Sequence, residues 1–318
     1  MWVANTLLSN LSSWSSAESM HATDVLGSHS RRAAPLNLRL DRAGTLYVVG
    51  PLFRWLFGQA GKIPILMYHS VADEDESAVR PYYRISITPP QFLQQMAWLH
   101  EKGYRSVSLG SAVELLKTGR SSLDRTVVIT FDDGYRNFCD HAFPALGQFG
   151  FTATMFLPTA FISDRPLVFN RRECMTWADV REMQQRGMSF GSHTESHPQL
   201  HGLDWGSIRG EILRSRQTIE DKTGSLVDSF AYPYAFPQTD KPFKANLRKI
   251  LEESGYRYGV CTQIGRAGPA SDPLFLERIP VNSADDTALL GAKMRGGYDW
   301  VGGMQSLAKQ LRKPRASA

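Results

Sequence analysis

The stretch TVVITFDDGY, residues 126–135, is an apolar, β-branched run that ends in two adjacent carboxylates, Asp132 and Asp133. Thr126 to Phe131 read as a buried strand. Side chains alternate faces along a strand, so the two aspartates cannot both point one way while the strand stays regular. Like charges that close also raise each other's pKa. A bound cation is the simplest compensation. A solvated turn, for which Asp-Gly is a common signal, is the alternative.

Outward from this strand, short apolar runs alternate with amphipathic stretches. Strands are predicted at 63–71, 104–109, 126–131, 151–158, 188–194, 229–234, 256–262 and 274–281. Helices are predicted at 89–103, 111–119, 141–150 (broken by Pro144), 176–187, 207–224 and 244–255. Thr88 and Thr176 are placed to cap their helices, and Gly103 and Gly187 to stop them. Strands alternating with helices predict an α/β fold with a parallel sheet. At this length a closed or nearly closed (β/α) barrel of about seven to eight mostly parallel strands is its natural form. Such folds place their sites just past the carboxyl ends of the strands. His69, Asp132 with Asp133, His193 with His197, and Tyr234 all fall there.

The remainder of the 318 residues sets bounds. A hydrophobic fraction of 42% with 21% charged residues is that of a soluble globular protein. The net charge of +5 is largely terminal, in Arg31, Arg32, Lys309, Arg312, Lys313 and Arg315. Without a basic stripe carrying interleaved aromatics, no nucleic-acid partner is expected. Cys139, Cys174 and Cys261 form neither a disulfide framework nor a zinc knuckle, which suits a reducing compartment. The N-terminus lacks a basic n-region and a sustained apolar segment, so a cytoplasmic or peripheral inner-membrane location is expected; a misassigned start would allow a periplasmic one. Residues 45–59 are apolar but too short to span a bilayer. Leu52, Phe53, Leu56 and Phe57 suit peripheral membrane contact through one helix face, with packing onto the domain as the alternative. The expected divisions are a poorly ordered arm (1–43), an apolar lead-in (44–62), the α/β domain (63–285) and a helical extension with a basic tail (286–318).

The sequence GSHTESHP supplies His193 and His197, four residues apart, a spacing that lets both reach one metal. His201, four further on, is expected to be solvated or structural. Two histidines and a carboxylate make the three-ligand, open arrangement of a catalytic divalent metal. One aspartate then holds the ion and the other acts beside it as general base.

TFDDG followed by HTESHP resembles the polysaccharide deacetylases of the NodB-homology group, carbohydrate esterase family 4. The likeness spans residues 63–285 and implies a distorted (β/α) barrel that removes acetyl groups from N-acetylated sugars. It implies Asp132 as base, Asp133, His193 and His197 as metal ligands, and Thr194 as the hydroxyl that steadies the metal loop. Zinc is the default ion, with cobalt, nickel and manganese as alternatives. FAYPYA (230–235) is similar to the family's third motif, in which the backbone N–H of Tyr234 would help hold the oxyanion. Two positions depart: the arginine that commonly orients the base is Ala231, and the closing glycine is Ala235. Arg278 is the substitute read for that arginine. The family's late Leu-x-His motif, which carries the general acid, is absent, since no histidine follows His201. LMYHSV, with Tyr68 and His69, instead matches the opening strand of a circularly permuted subset resembling the poly-N-acetylglucosamine deacetylases. His69 is therefore read as the acid, and Tyr68, like Arg278, as substrate-binding or base-orienting. Asp299 with Trp300 imitates a family Asp-Trp pair but falls after the last strand and reads as C-terminal packing. The function implied is metal-dependent deacetylation of an exopolysaccharide or cell-surface glycan. Deacetylation of a lipid-linked sugar at the inner membrane face and a non-catalytic glycan-binding module are the alternatives.

Overall fold

A computed structural model describes residues 40–48, 61–118 and 123–311. The strands in chain order are β1 (Ile65–Tyr68), β2 (Ser70–Val71), β3 (Ser86–Ile87), β4 (Arg105–Ser106), β5 (Thr126–Phe131), β6 (Thr154–Leu157), β7 (Val168–Phe169), β8 (Arg172–Glu173), β9 (Ser189–Ser192), β10 (Ser229–Ala231), β11 (Tyr258–Ile264) and β12 (Leu276–Pro280). Seven of them form a closed parallel barrel in the order β1-β12-β11-β10-β9-β6-β5, shut by pairing of β1 with β5 from Ile65↔Val128 to Tyr68↔Phe131. An eighth, β4, adds to the start of β5 through Arg105↔Thr126. The parallel pair β2–β3 and the antiparallel hairpin β7–β8 stand outside the barrel.

The alternation of side chains along β5 divides the core in two. Val127, Ile129 and Phe131 face outward into the larger cluster, against Phe92 and Met96 of helix α1 (Pro89–Glu101). Val128 belongs with Ile65, Phe156, Ala231, Val260 and Leu276, which come from six strands and fill the barrel. Leu109, Ala112, Val113 and Leu116 of α2 (Leu109–Thr118) join that interior set and close the end where the strands begin. All six residues of β5 are buried, which is why its sequence is continuously apolar or β-branched rather than alternating.

The other helices are α3 (Phe143–Gln148), α4 (Trp177–Gln185), α5 (Trp205–Thr223), α6 (Lys241–Glu253), α7 (Thr287–Met294) and α8 (Asp299–Leu311). The side chain of Thr88 caps α1, and Thr176 forms a reciprocal capping box with Asp179 on α4. Two local readings need correction. Pro144 does not break a helix over 141–150. It sits in the first turn of α3, where a missing N–H costs nothing, after a π-helical turn at Phe138–Ala142. The run 63–71 is two strands, β1 and β2, separated at His69.

Leu40–Ala43 is a helical turn that runs into a π-turn at Gly44–Val48. Arg42 pairs with Asp286, and Trp300 Nε1 donates to Thr45 Oγ1 at 3.2 Å, so this segment is tied to the C-terminal helices. Asp299 meets Arg266 at 3.1 Å and Lys62 at 3.7 Å, so the Asp299–Trp300 pair is taken up in packing of the C-terminal helix. The arm up to residue 39, most of the apolar stretch 45–59 and the basic tail from 312 lie outside the described residues. Among the described residues no helix is long and apolar enough to cross a membrane.

Candidate active site

The end of β5 answers the question its sequence raises. Phe131 is the last strand residue, and Asp133 turns away with a left-handed backbone, φ 73°. The two carboxylates therefore diverge into different surroundings, both buried.

Asp132 faces Arg278 of β12. Arg278 Nη1 donates to Oδ1 and Nη2 to Oδ2, each at 2.7 Å, a two-pronged ion pair. The same guanidinium donates from Nε to the Cys261 carbonyl at 3.1 Å and from Nη1 to Thr130 Oγ1 at 3.3 Å. Arg278 is 1% exposed, so its charge is spent on Asp132 rather than on solvent. Burial alone would push the Asp132 carboxyl up. The Arg278 charge and hydrogen bonds outweigh it and hold that carboxyl well below the usual carboxylate range. His69, between β1 and β2, places Nε2 4.0 Å from Asp132 Oδ2 and keeps about a fifth of its side chain open to solvent.

Asp133 faces the histidines. Its Oδ1 lies 3.4 Å from His197 Nε2 and 3.7 Å from His193 Nε2, and the two Nε2 atoms are 3.2 Å apart. An ion bound tetrahedrally at about 2.1 Å from each ligand separates those ligands by about 3.4 Å. The three donors fit that triangle. The His193 Nδ1 sits 2.8 Å from the Ala231 carbonyl, which can only accept, so Nδ1 carries the proton and Nε2 offers its lone pair. Burial pushes both imidazoles down to about 4, against the pull of Asp132, so they are neutral, as ligands must be. Asp133, His193 and His197 are the one group of this kind found among the described residues.

The loop that carries the histidines is held tightly. Thr194 Oγ1 accepts from the His197 N–H at 3.0 Å. The His197 ring is packed edge-on against Phe169 of the β7–β8 hairpin, centroids 5.0 Å apart, and against Tyr234 at 4.6 Å. Tyr234 is 41% exposed at the rim, with φ 56°, and its carbonyl accepts from Thr262 Oγ1 at 2.9 Å. The hairpin is pinned by Arg172, whose Nε donates to Glu74 Oε1 at 2.8 Å.

Of the residues singled out in the sequence, His69, Asp132, Asp133, His193, His197, Tyr234 and Arg278 converge at one end of the barrel. Tyr68 does not. It is fully buried, stacks on Phe131 at 5.3 Å and donates its hydroxyl to Gln95 Oε1 at 2.7 Å. Neighbours on a strand face opposite ways, so with His69 turned to the site Tyr68 is a core residue, neither substrate-binding nor base-orienting. His201 pairs with Asp240 at 3.1 Å on the surface, outside the cluster. Ala231, read in the sequence as a missing arginine, supplies the carbonyl that orients His193. Nothing in the sequence points to Glu211 of α5, which accepts from the Glu195 and Ser196 N–H groups of the loop that carries the histidines. Nothing local to residue 211 marks it, because its partners lie at the other end of a loop-to-helix contact.

Comparison with known proteins follows from this geometry. A family profile described as "Polysaccharide deacetylase" matches residues 119–259, a span that holds Asp132, Asp133, both histidines and Tyr234 but not His69. The chain is 28% identical over 231 residues to the putative polysaccharide deacetylase YxkH of Bacillus subtilis (strain 168), covering 73% of this chain and 75% of that one. It is 32% identical over 154 residues to the poly-β-1,6-N-acetyl-D-glucosamine N-deacetylase of Escherichia coli (strain K12), covering 45% of this chain and 22% of that relative, about a fifth of its length. Among solved structures, the Streptococcus pyogenes deacetylase PplD in complex with acetate superposes with a TM-score of 0.63 at 26% identity, over 73% of this chain and 98% of that one. IcaB from Ammonifex degensii shares the fold, with a TM-score of 0.61 at 22% identity, over 75% of this chain and 99% of that one.

Proposed function

We propose, from its similarity to polysaccharide deacetylases, that the chain is a member of that family and a metal-dependent N-deacetylase of an exopolysaccharide or cell-surface glycan. It is a hydrolase acting on carbon–nitrogen bonds. The observation that carries the finer reading is the division of labour at the end of β5: Asp132 is locked to Arg278, while Asp133 faces two neutral histidines at metal-ligand spacing.

Asp133, His193 and His197 would hold the ion, for which zinc is the first choice and cobalt, nickel or manganese the others. Bound there, such an ion polarises a carbonyl oxygen and acidifies water. Asp132, ionised and fixed by Arg278, takes a proton from the attacking water. The backbone N–H of Tyr234 donates to the oxyanion that forms on the acetamide carbon, a contribution of about 2.7–4 kcal/mol for a donor of this kind. His69, within 4.0 Å of the base, gives a proton to the sugar nitrogen as the C–N bond breaks. Water and amide thus become acetate and a free amine. Base and acid begin in opposite protonation states, which predicts a bell-shaped pH–rate profile. The place of His69 at the same end of the barrel, 4.0 Å from Asp132, supports an acid supplied from the start of the domain, in place of a late histidine.

The test is acetate release from N-acetylglucosamine oligomers by chelator-treated protein with zinc or cobalt restored. Release that depends on the added metal is expected. Metal uptake without release from any N-acetylated oligomer would leave a glycan-binding module as the better reading.

A further inference from the structure

We infer that Glu211 is a positioning residue for the metal loop, setting the metal affinity of a site it does not touch. The inference rests on the metal reading above.

Residues 193–197 leave β9 and return to α5, and two of them, Thr194 (φ 68°) and His197 (φ 57°), have left-handed backbones. Such residues are strained and persist only where the surroundings enforce them. The Thr159 and Ala160 N–H groups donate to the Thr194 and Glu195 carbonyls at 3.2 and 2.8 Å, and the contacts to the loop's own N–H groups come from one face of α5. Glu211 Oε2 accepts from the Glu195 N–H at 2.9 Å and from the Ser196 N–H at 2.8 Å. Its Oε1 accepts from Ser196 Oγ at 2.7 Å. All three bonds come from the segment between the two left-handed residues. One turn further along the same face, Ser215 Oγ takes a bond from Ser192 Oγ at 2.8 Å, and that oxygen accepts from the Thr194 N–H at 3.2 Å. Glu211 and Ser215 are four residues apart and therefore share a face. Arg214 reaches the Glu195 carboxylate at 2.7 Å, but that pair is exposed and adds little.

Glu211 is 9% exposed. A buried carboxylate is costly unless it is hydrogen-bonded, and these bonds all come from the metal loop. The loop has the complementary need, since two successive N–H groups with no strand partner require an acceptor. Together they keep His197 turned back onto Asp133 and His193 before any ion arrives. Without Glu211 the left-handed pair can relax, and binding an ion must then reorder the loop.

The test is the zinc dissociation constant of the full chain, measured by competition with a chromophoric chelator, alongside the urea midpoint of the metal-free protein. Glu211→Ala is expected to weaken zinc binding about tenfold or more, the range seen when residues supporting metal ligands are removed. Glu211→Gln keeps an oxygen for both N–H groups and should stay within about threefold of wild type, whereas Glu211→Asp, a methylene short, should fall with alanine. Should the alanine variant not fold, Ser196→Ala removes one bond only and should weaken zinc about threefold. Zinc affinity unchanged in Glu211→Ala, or in Ser196→Ala where that variant stands in, overturns the inference even if the metal-free protein is destabilised. A wild type that takes up no zinc or other divalent ion removes the metal reading itself and this inference with it.

Discussion

Replacing Arg278 with methionine tests the core of the site. The substitution keeps side-chain volume roughly and deletes the charge, leaving Asp132, 2% exposed, without its counterion. Opposite unit charges about 4 Å apart attract by about 4 kcal/mol at an effective dielectric near 20. Removing one partner of a buried pair costs about 3–5 kcal/mol in proteins, because the other charge stays buried. The two figures agree, and a loss of about 4 kcal/mol at neutral pH is expected. The sign of its pH dependence follows from Asp132. In the wild type the folded carboxyl is held below its unfolded value, so its contribution is complete above about pH 3.9 and lost as the pH falls through the folded value. In the variant burial is opposed only by His193 and His69, so the carboxyl moves up from its wild-type position, protonates sooner on acidification, and the penalty is relieved. The gap between wild type and variant should therefore narrow from pH 7.5 to pH 4.5 in urea unfolding of metal-free protein. Asp132→Asn combined with Arg278→Met should recover much of the loss, since no charge then remains unpaired. A loss below about 1 kcal/mol, or one that does not shrink on acidification, would refute the claim that Arg278 holds Asp132 ionised.

Other expectations are simpler. Asp132→Asn should retain metal and lose acetate release, while Asp133→Asn should lose both; metal analysis beside an activity assay separates them, and equal metal loss in the two variants would undo the assignment. His69→Ala should lower kcat by about 10²–10⁴ with metal content unchanged; unchanged turnover would mean that the acid lies elsewhere. Gly259→Ala in β11 would drive a methyl group into the Leu274 carbonyl on the adjoining chain. Overpacking against backbone should cost about 1–3 kcal/mol, read as a lower thermal midpoint, and an unshifted midpoint would show that the strand can yield there.

The sequence reads well where the signal is local. β5 matches residue for residue, because a strand buried on both faces carries an unbroken apolar, β-branched run. The caps at Thr88 and Thr176 are short-range chemistry and are found where expected. The motifs are local too, so Asp132, Asp133, His193 and His197 stand out without any structure. What fails is register and facing. β10 spans only Ser229–Ala231 rather than 229–234, although the buried Tyr232 still donates its N–H to the Val260 carbonyl at 3.0 Å. The resemblance of LMYHSV gives Tyr68 a role at the site beside His69, although alternation along a strand argues against it. Arg278 is named by the resemblance, as the substitute for the motif arginine, and not by any local pattern: its pairing with Asp132 spans 146 residues and depends on β1 lying between β5 and β12, a fact of barrel closure. Glu211 is harder still, since a glutamate within a helix reads as solvent-facing until the loop above it is placed.

The backbone itself marks where the chemistry sits. Seven non-glycine residues among those described have left-handed φ values, and four of them, Asp133, Thr194, His197 and Tyr234, lie within this one site. At roughly 1–3 kcal/mol apiece that strain is comparable with the whole net stability of a domain. It is tolerable only because each strained residue follows a rigid barrel strand and is bound immediately by its neighbours. Thr194 holds the His197 N–H, Thr262 holds the Tyr234 carbonyl, and Asp133 follows a strand paired on both edges. A regular strand end would send successive side chains to opposite faces. The left-handed turn at Asp133 lets one strand deliver two adjacent carboxylates to two different partners, a guanidinium and a pair of imidazoles. The division of Asp132 and Asp133 between their partners is thus made by a backbone dihedral, and the barrel is the structure stiff enough to hold it.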